Sequence, residues 1–234
     1  MKQKTQGIVL KYFKYGDTSL IIRIYTKNFG LQSYLINQVR SSKSKNNKIA
    51  LFQPLSLLDL VVYQKKNDQH LHRLAEANII YPYQSIPFDF TKTSLVWLIV
   101  EVLDMCLKEE NENEILFSFL HNALIDLDTI ENNIANFPII FLLQLSSFLG
   151  FLPENGLEIL NQIEDNYQSY MPQNVKKEVC LFFDVFLAQN QLNAFVVMDI
   201  SKRRLLLDIL LQFYQLHIPN FKEIKSLALL RELN

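Results

Sequence analysis

At 234 residues and 49% hydrophobic, the chain has enough apolar side chain for a packed core, so a globular protein is expected and a disordered one is set aside. The formal net charge of −1 conceals a division near Tyr81: residues 1–80 carry 13 Lys and Arg against the four acids Asp17, Asp59, Asp68 and Glu76, a net of +9, whereas residues 81–234 carry 10 against 20, a net of −10. That asymmetry points to a polyanion partner for the first part and makes the second a poor surface for one.

From Gly7 to about Ile80 the sequence reads as short runs of β-branched and aromatic residues separated by turn residues. "GIVLKYF", a turn at "YGD", "TSLIIRIYT", a turn at "KNFG" and "LQSYLINQV" suit a meander of three antiparallel strands. Strand alternation in "IVLKYFK" places Tyr12 with Ile8 and Leu10 in the core and leaves Lys11 exposed. "LFQPLSLLDLVVYQ" and "HLHRLAEANII" supply two more strands, the second with His70 and His72 on one face. Five strands in about eighty residues, with one long connection, predict a small Greek-key barrel of the OB type over residues 1–80.

Residues 81–234 turn to helical periodicity and predict an all-α domain of about half a dozen helices, giving a two-domain α+β chain. Thr91 or Thr93 is expected to cap a helix running through Lys108, and Asn111 the next, where Leu116, Leu120, Leu124 and Leu127 form an apolar stripe. Pro138 opens a run that Gly150 can end, and Pro172 and Ser201 open two more. "SLVWLIVEVLDMCL" is broken by Glu101 and Asp104, and "FPIIFLLQLSSFLGFL" is too short to span a bilayer, so both read as buried helices. Cys106 and Cys180 have neither zinc-ligand nor disulfide spacing and are expected to be buried free thiols. The opening residues lack the apolar run of a signal peptide, which predicts a cytoplasmic protein.

Sites for chemistry are sparse. None of the five glycines stands in a phosphate-loop frame. His70 and His72 have no third ligand at a fitting spacing, and Glu112/Glu114 and Asp126/Asp128 read as solvated charged faces. An enzyme is therefore not expected, and no cofactor or metal is assigned. The basic region is the exception. Between Asp17 and Asp59 there is no acid, while Arg23, Lys27, Arg40, Lys43, Lys45 and Lys48 fall in that interval and Lys11 and Lys14 just precede it. Tyr12, Phe13, Tyr15, Tyr25, Phe29, Tyr34 and Phe52 are interleaved with these cations. Cations neutralise phosphates and exposed rings stack on unpaired bases, a combination suited to single-stranded nucleic acid, although part of the rings must fill the barrel. The alternative is an OB-fold adaptor that binds RNA or an acidic protein.

The order of these features resembles the bacterial recombination mediator family RecO. "GIVLKYFKYGDTSLIIRIYTKNFGLQSYLINQVRSSKS" resembles that family's opening, "LFQPLSLLDLVVY" its next strand with the Gln-Pro pair, and "HIPNFKEIKSLALLREL" its C-terminal segment. The resemblance implies an OB barrel followed by helices, and a nucleoid-associated, non-catalytic role in recombinational DNA repair. It implies binding of single- and double-stranded DNA, annealing of complementary strands, and action with RecR to help RecA replace single-strand-binding protein (SSB), whose acidic, Phe-ending C-terminal tail would contact the helical domain. DNA contact transfers to Lys11, Lys14, Arg23, Lys27, Arg40, Lys43, Lys45 and Lys48 as a patch. The four zinc-binding cysteines of many family members, expected after "FLGFLPENG", have no counterpart here. "SKRR" at 201–204 is the one basic cluster in the acidic part, suited to an acidic partner or to solvent.

Overall fold

Five strands, β1 (Lys2–Tyr15), β2 (Ser19–Thr26), β3 (Gly30–Ile36), β4 (Leu57–Tyr63) and β5 (His72–Ile79), close into a barrel in the order β1-β2-β3-β5-β4. All pairings are antiparallel except β3 with β5, which is the OB arrangement. The computed structural model describes residues 2–37, 48–63, 71–108, 112–168, 170–189 and 191–232. Gly16 turns the chain between β1 and β2 at φ 56°, a left-handed conformation that glycine adopts without steric cost.

Two expectations for the strands are corrected. The first strand begins at Lys2 rather than Gly7, pairing residues 2–8 with β4. "LFQP" is not strand: Lys48–Phe52 form a 3-10 turn, and Leu55 follows at φ 61°. Pro54 has no N–H to give a ladder, so the fourth strand starts only beyond it, at Leu57. His70 lies outside the described residues, and with it the expected shared face with His72.

The barrel interior is filled by Val9, Leu20, Ile22, Ile24, Tyr34, Phe52, Leu58, Leu60 and Val62. Gly7 sits among them, where an added Cβ would lie 2.5 Å from Ile24 Cγ2 and 2.6 Å from Leu60 Cδ1, so only glycine fits. On the outer wall Ile8, Leu10, Tyr25, Leu31, Leu55 and Leu57 are also buried, because they belong to the same apolar cluster as the helices. One flank of the barrel is thus covered by the helical part. The opposite loss of alternation explains why these strands read as nearly continuous apolar runs.

Seven helices follow among the described residues: α1 (Phe90–Cys106), α2 (Glu114–Thr129), α3 (Phe137–Phe148), α4 (Gly156–Tyr167), α5 (Gln173–Leu187), α6 (Ile200–His217) and α7 (Leu227–Glu232). The stripe Leu116, Leu120, Leu124, Leu127 is buried as expected, and Pro138 stands in the first turn of α3. Residues 137–143 of α3 are all buried, which places that helix at the centre of the helical core. Three caps differ from expectation: Asp89, Asn113 and Asp199 accept the amides of Lys92, Leu116 and Lys202, in place of Thr91 or Thr93, Asn111 and Ser201. Each observed cap is an Asp or Asn whose short oxygen reaches the third helical amide. Asn111 itself lies outside the described residues. Cys106 and Cys180 are free but only partly buried, and burial pushes the Cys106 thiol up to about 12. No described helix is long and apolar enough to cross a membrane.

The segment between barrel and α1 is fastened by one carboxylate. Asp128, read from the sequence as part of a charged face, is 3% exposed and accepts the amides of Gln84, Ser85 and Ile86, each at 2.9 Å. Tyr81 and Ser85 add hydroxyl donors at 3.2 Å, while buried Lys92 donates to the Asp128 carbonyl at 2.7 Å. Desolvation opposes ionisation of Asp128, yet the amides outweigh it and hold its carboxyl below the ordinary range. Tyr83 completes the joint by donating to the Leu55 carbonyl of the barrel at 2.7 Å.

Candidate nucleic-acid interface

The cationic side of the barrel is shaped by a bulge in β1. Val9 pairs with Ile24 and Lys11 with Arg23, so Leu10 is the extra residue and both Leu10 and Lys11 lie on the outer wall. This reverses the alternation expected for "IVLKYFK". Tyr12, expected in the core, comes opposite Ile22 toward the hairpin end and is 36% exposed. Phe13 and Tyr15 are more exposed still, with Lys14 exposed between them. Tyr25, Tyr34 and Phe52 are buried. The rings available to a ligand among those singled out from the sequence are therefore concentrated on the last residues of β1.

Lys11 and Arg23, directly opposite each other on neighbouring strands, would repel if left alone. Asp104 of α1 answers both: Lys11 Nζ binds Oδ2, and Arg23 Nη1 binds Oδ1 at 2.5 Å. Lys27 Nζ lies 2.7 Å from Oε1 of Glu114 at the start of α2. Three of the eight cations assigned to DNA are thus engaged by carboxylates of the helical part. Lys14 is exposed on β1, and Lys48 opens the 3-10 turn. Arg40, Lys43 and Lys45 lie outside the described residues, in the connection from β3 to that turn. Asp104 was visible in the sequence only as an interruption of an apolar run. Nothing local reveals that its helical turn meets the barrel.

The "SKRR" cluster is committed internally. Lys202 pairs with Glu178, Arg203 donates to Asn136 Oδ1 at 3.1 Å, and Arg204 to the Arg231 carbonyl at 2.6 Å. Arg203 and Arg204 also line a small groove, of about 50 Å³, between α1, α3, α6 and α7, together with Arg231, Asp208 and the apolar Leu95, Pro138, Leu207 and Leu230. Arg231 is missed by sequence reading because its contribution depends on α7 folding back beside α6, where it meets Asp208 at 2.5 Å. Among the described residues no group of three or more His, Cys, Asp or Glu is placed to hold a metal ion.

A closed OB barrel with a cationic hairpin, packed on a helical domain, defines a two-part protein of the OB class. Residues 1–83 match the family model "Recombination protein O N terminal" and residues 87–155 the model "Recombination protein O C terminal". The chain is 35% identical to the DNA repair protein RecO of Flavobacterium psychrophilum and 34% identical to that of Bacteroides fragilis, in each case over 100% of this chain and 99% of the relative. The DNA repair protein RecO of Azobacteroides pseudotrichonymphae is 30% identical over the same shares. The chain belongs to the recombination protein O family, and its relatives' shared name supports a role in DNA repair.

Proposed function

We propose that this chain is a DNA-binding recombination mediator that holds single- and double-stranded DNA on the barrel's cationic side, anneals complementary strands, and acts with RecR to help RecA replace SSB. One observation carries the reading: the exposed end of β1 combines Lys14 with the rings of Tyr12, Phe13 and Tyr15. The connection after β3 adds Arg40, Lys43, Lys45 and Lys48 without an intervening acid. Phosphates are neutralised by the cations and unpaired bases stack on the rings. Screening the repulsion between two strands while leaving bases accessible promotes pairing and needs no nucleotide fuel. Lys11, Arg23 and Lys27 contribute only when their carboxylate partners are displaced.

The groove beside α7 is the proposed seat of the SSB tail. Its apolar floor suits the terminal Phe and its arginines suit the acidic residues. Calorimetry with a tail peptide should show binding heat that is lost in Arg204→Glu. Absence of heat at high peptide concentration would count against this assignment.

Strand annealing followed with fluorescent complementary oligonucleotides, without ATP or metal, tests the main function. Acceleration over the spontaneous rate is expected; no acceleration at saturating protein would overturn it. An adaptor for an acidic protein would instead show no affinity that grows with oligonucleotide length.

A further inference from the structure

We infer that Lys11 and Arg23 form a phosphate-binding site that Asp104 masks, so that α1 limits how tightly the barrel holds a polynucleotide. This rests on the DNA-binding reading above and extends it to control of the same surface. The bulge at Leu10 brings the two cations opposite each other on the outer wall, where like charges do not gather without an anion between them. Asp104 supplies that anion with one oxygen to each cation, the two-oxygen geometry a phosphodiester also presents. Two positive charges against one negative leave the cluster net positive. The side chains remain accessible, at 34% for Lys11, 26% for Arg23 and 22% for Asp104, so a phosphate can reach them. Lys11 Nζ also lies 5.3 Å from the centroid of the exposed Phe13 ring, placing a base-stacking surface beside the phosphate site.

Glu101, one helical turn earlier on α1, provides the contrast. Its carboxylate accepts the amides of Lys225 at 2.7 Å and Ser226 at 3.2 Å, groups that an incoming anion cannot remove from the fold. The partners of Asp104 are two side-chain cations, which can exchange one anion for another without any change in the backbone. In the wild type Asp104 holds both cations against a strand lying along β1, so the site stays closed and adds nothing to the hold on the polynucleotide.

Asp104→Asn keeps size and an acceptor oxygen but removes the competing charge. Each phosphate neutralised on a single strand adds about −0.7 to the slope of log affinity against log salt. Two more sites should steepen the slope by about 1.4, and raise affinity for an oligothymidylate about tenfold at 0.15 M salt. Adding Lys11→Gln and Arg23→Gln to Asp104→Asn should abolish the gain. Acetylation footprinting of the wild-type protein, which needs no folded variant, should show DNA protecting Lys14 but not Lys11, whose ammonium stays on Asp104. An unchanged slope in folded D104N, a gain that survives loss of both cations, or wild-type protection of Lys11 equal to that of Lys14 would each overturn the mask. Failure of the wild type itself to bind DNA would overturn the functional reading with it.

Discussion

Replacing Asp128 should loosen the joint between barrel and helices, and the two simplest substitutions should differ in a predictable way. In Asp128→Ala the amides of Gln84, Ser85 and Ile86 lose their acceptor at a position that is 3% exposed. An unsatisfied buried donor costs about 1–3 kcal/mol, and partial re-entry of water makes about 3–5 kcal/mol the expected total. Asp128→Asn is milder: its carbonyl can still receive Ser85 and Ile86, but its amide group then faces the Gln84 amide donor to donor, for a cost of about 1.5–3 kcal/mol. Urea denaturation at pH 7 reads both values. The carboxyl is held below its ordinary range when folded, so its contribution is fully present above the unfolded pKa of about 4 and is lost as pH falls through the folded one. Both variants should therefore lose part of the wild-type acid sensitivity. The reasoning fails if D128N costs no more than Glu131→Gln, a change at an exposed site.

Gly7→Ala should destabilise the barrel by about 1–3 kcal/mol in thermal or urea unfolding, since the new methyl enters the space of Ile24 and Leu60. Gly156→Ala should cost about as much, because its Cβ would lie 2.5 Å from the Cys180 carbonyl oxygen and 2.8 Å from the Cys180 Cα, both backbone atoms of α5. Phe13→Ala with Tyr15→Ala should weaken single-strand binding by about 1–3 kcal/mol per base-stacking ring while leaving the salt slope unchanged, in fluorescence titration. His217 stacks on Phe151 with centroids 4.7 Å apart, and burial lowers its pKa against the pull of Glu158. Its contribution is complete above the unfolded pKa of about 6.5 and declines as pH falls through the folded value; His217→Gln should remove that part of the pH dependence of unfolding.

Elements governed by local periodicity were legible in the sequence. The three-strand meander, the stripe from Leu116 to Leu127 and the buried run after Pro138 all follow from side-chain spacing within one element. Features that depend on a partner element were not. The bulge at Leu10 leaves no mark in "IVLKYFK", because its cause is the meeting of β1 with β2 and with the helices beyond. Asp104 read only as a break in an apolar run and Asp128 as a solvated acid, since a sequence gives their charge but not the cations or amides awaiting them. The caps were misplaced by two residues or more for a related reason. Several oxygen-bearing side chains stand near each helix start, and only backbone geometry selects the one that reaches an amide.

Binding of single-stranded DNA across a range of salt concentrations, for the wild type and for a variant with Arg40, Lys43, Lys45 and Lys48 changed to Glu, most directly tests whether the cations of the barrel region hold the polynucleotide. If Lys14 and those four residues neutralise about five phosphates, the slope should be roughly −3.5 for the wild type and the gel-shifted complex should be lost for the folded variant. A slope near zero, or undiminished affinity after the four charge reversals, would contradict it.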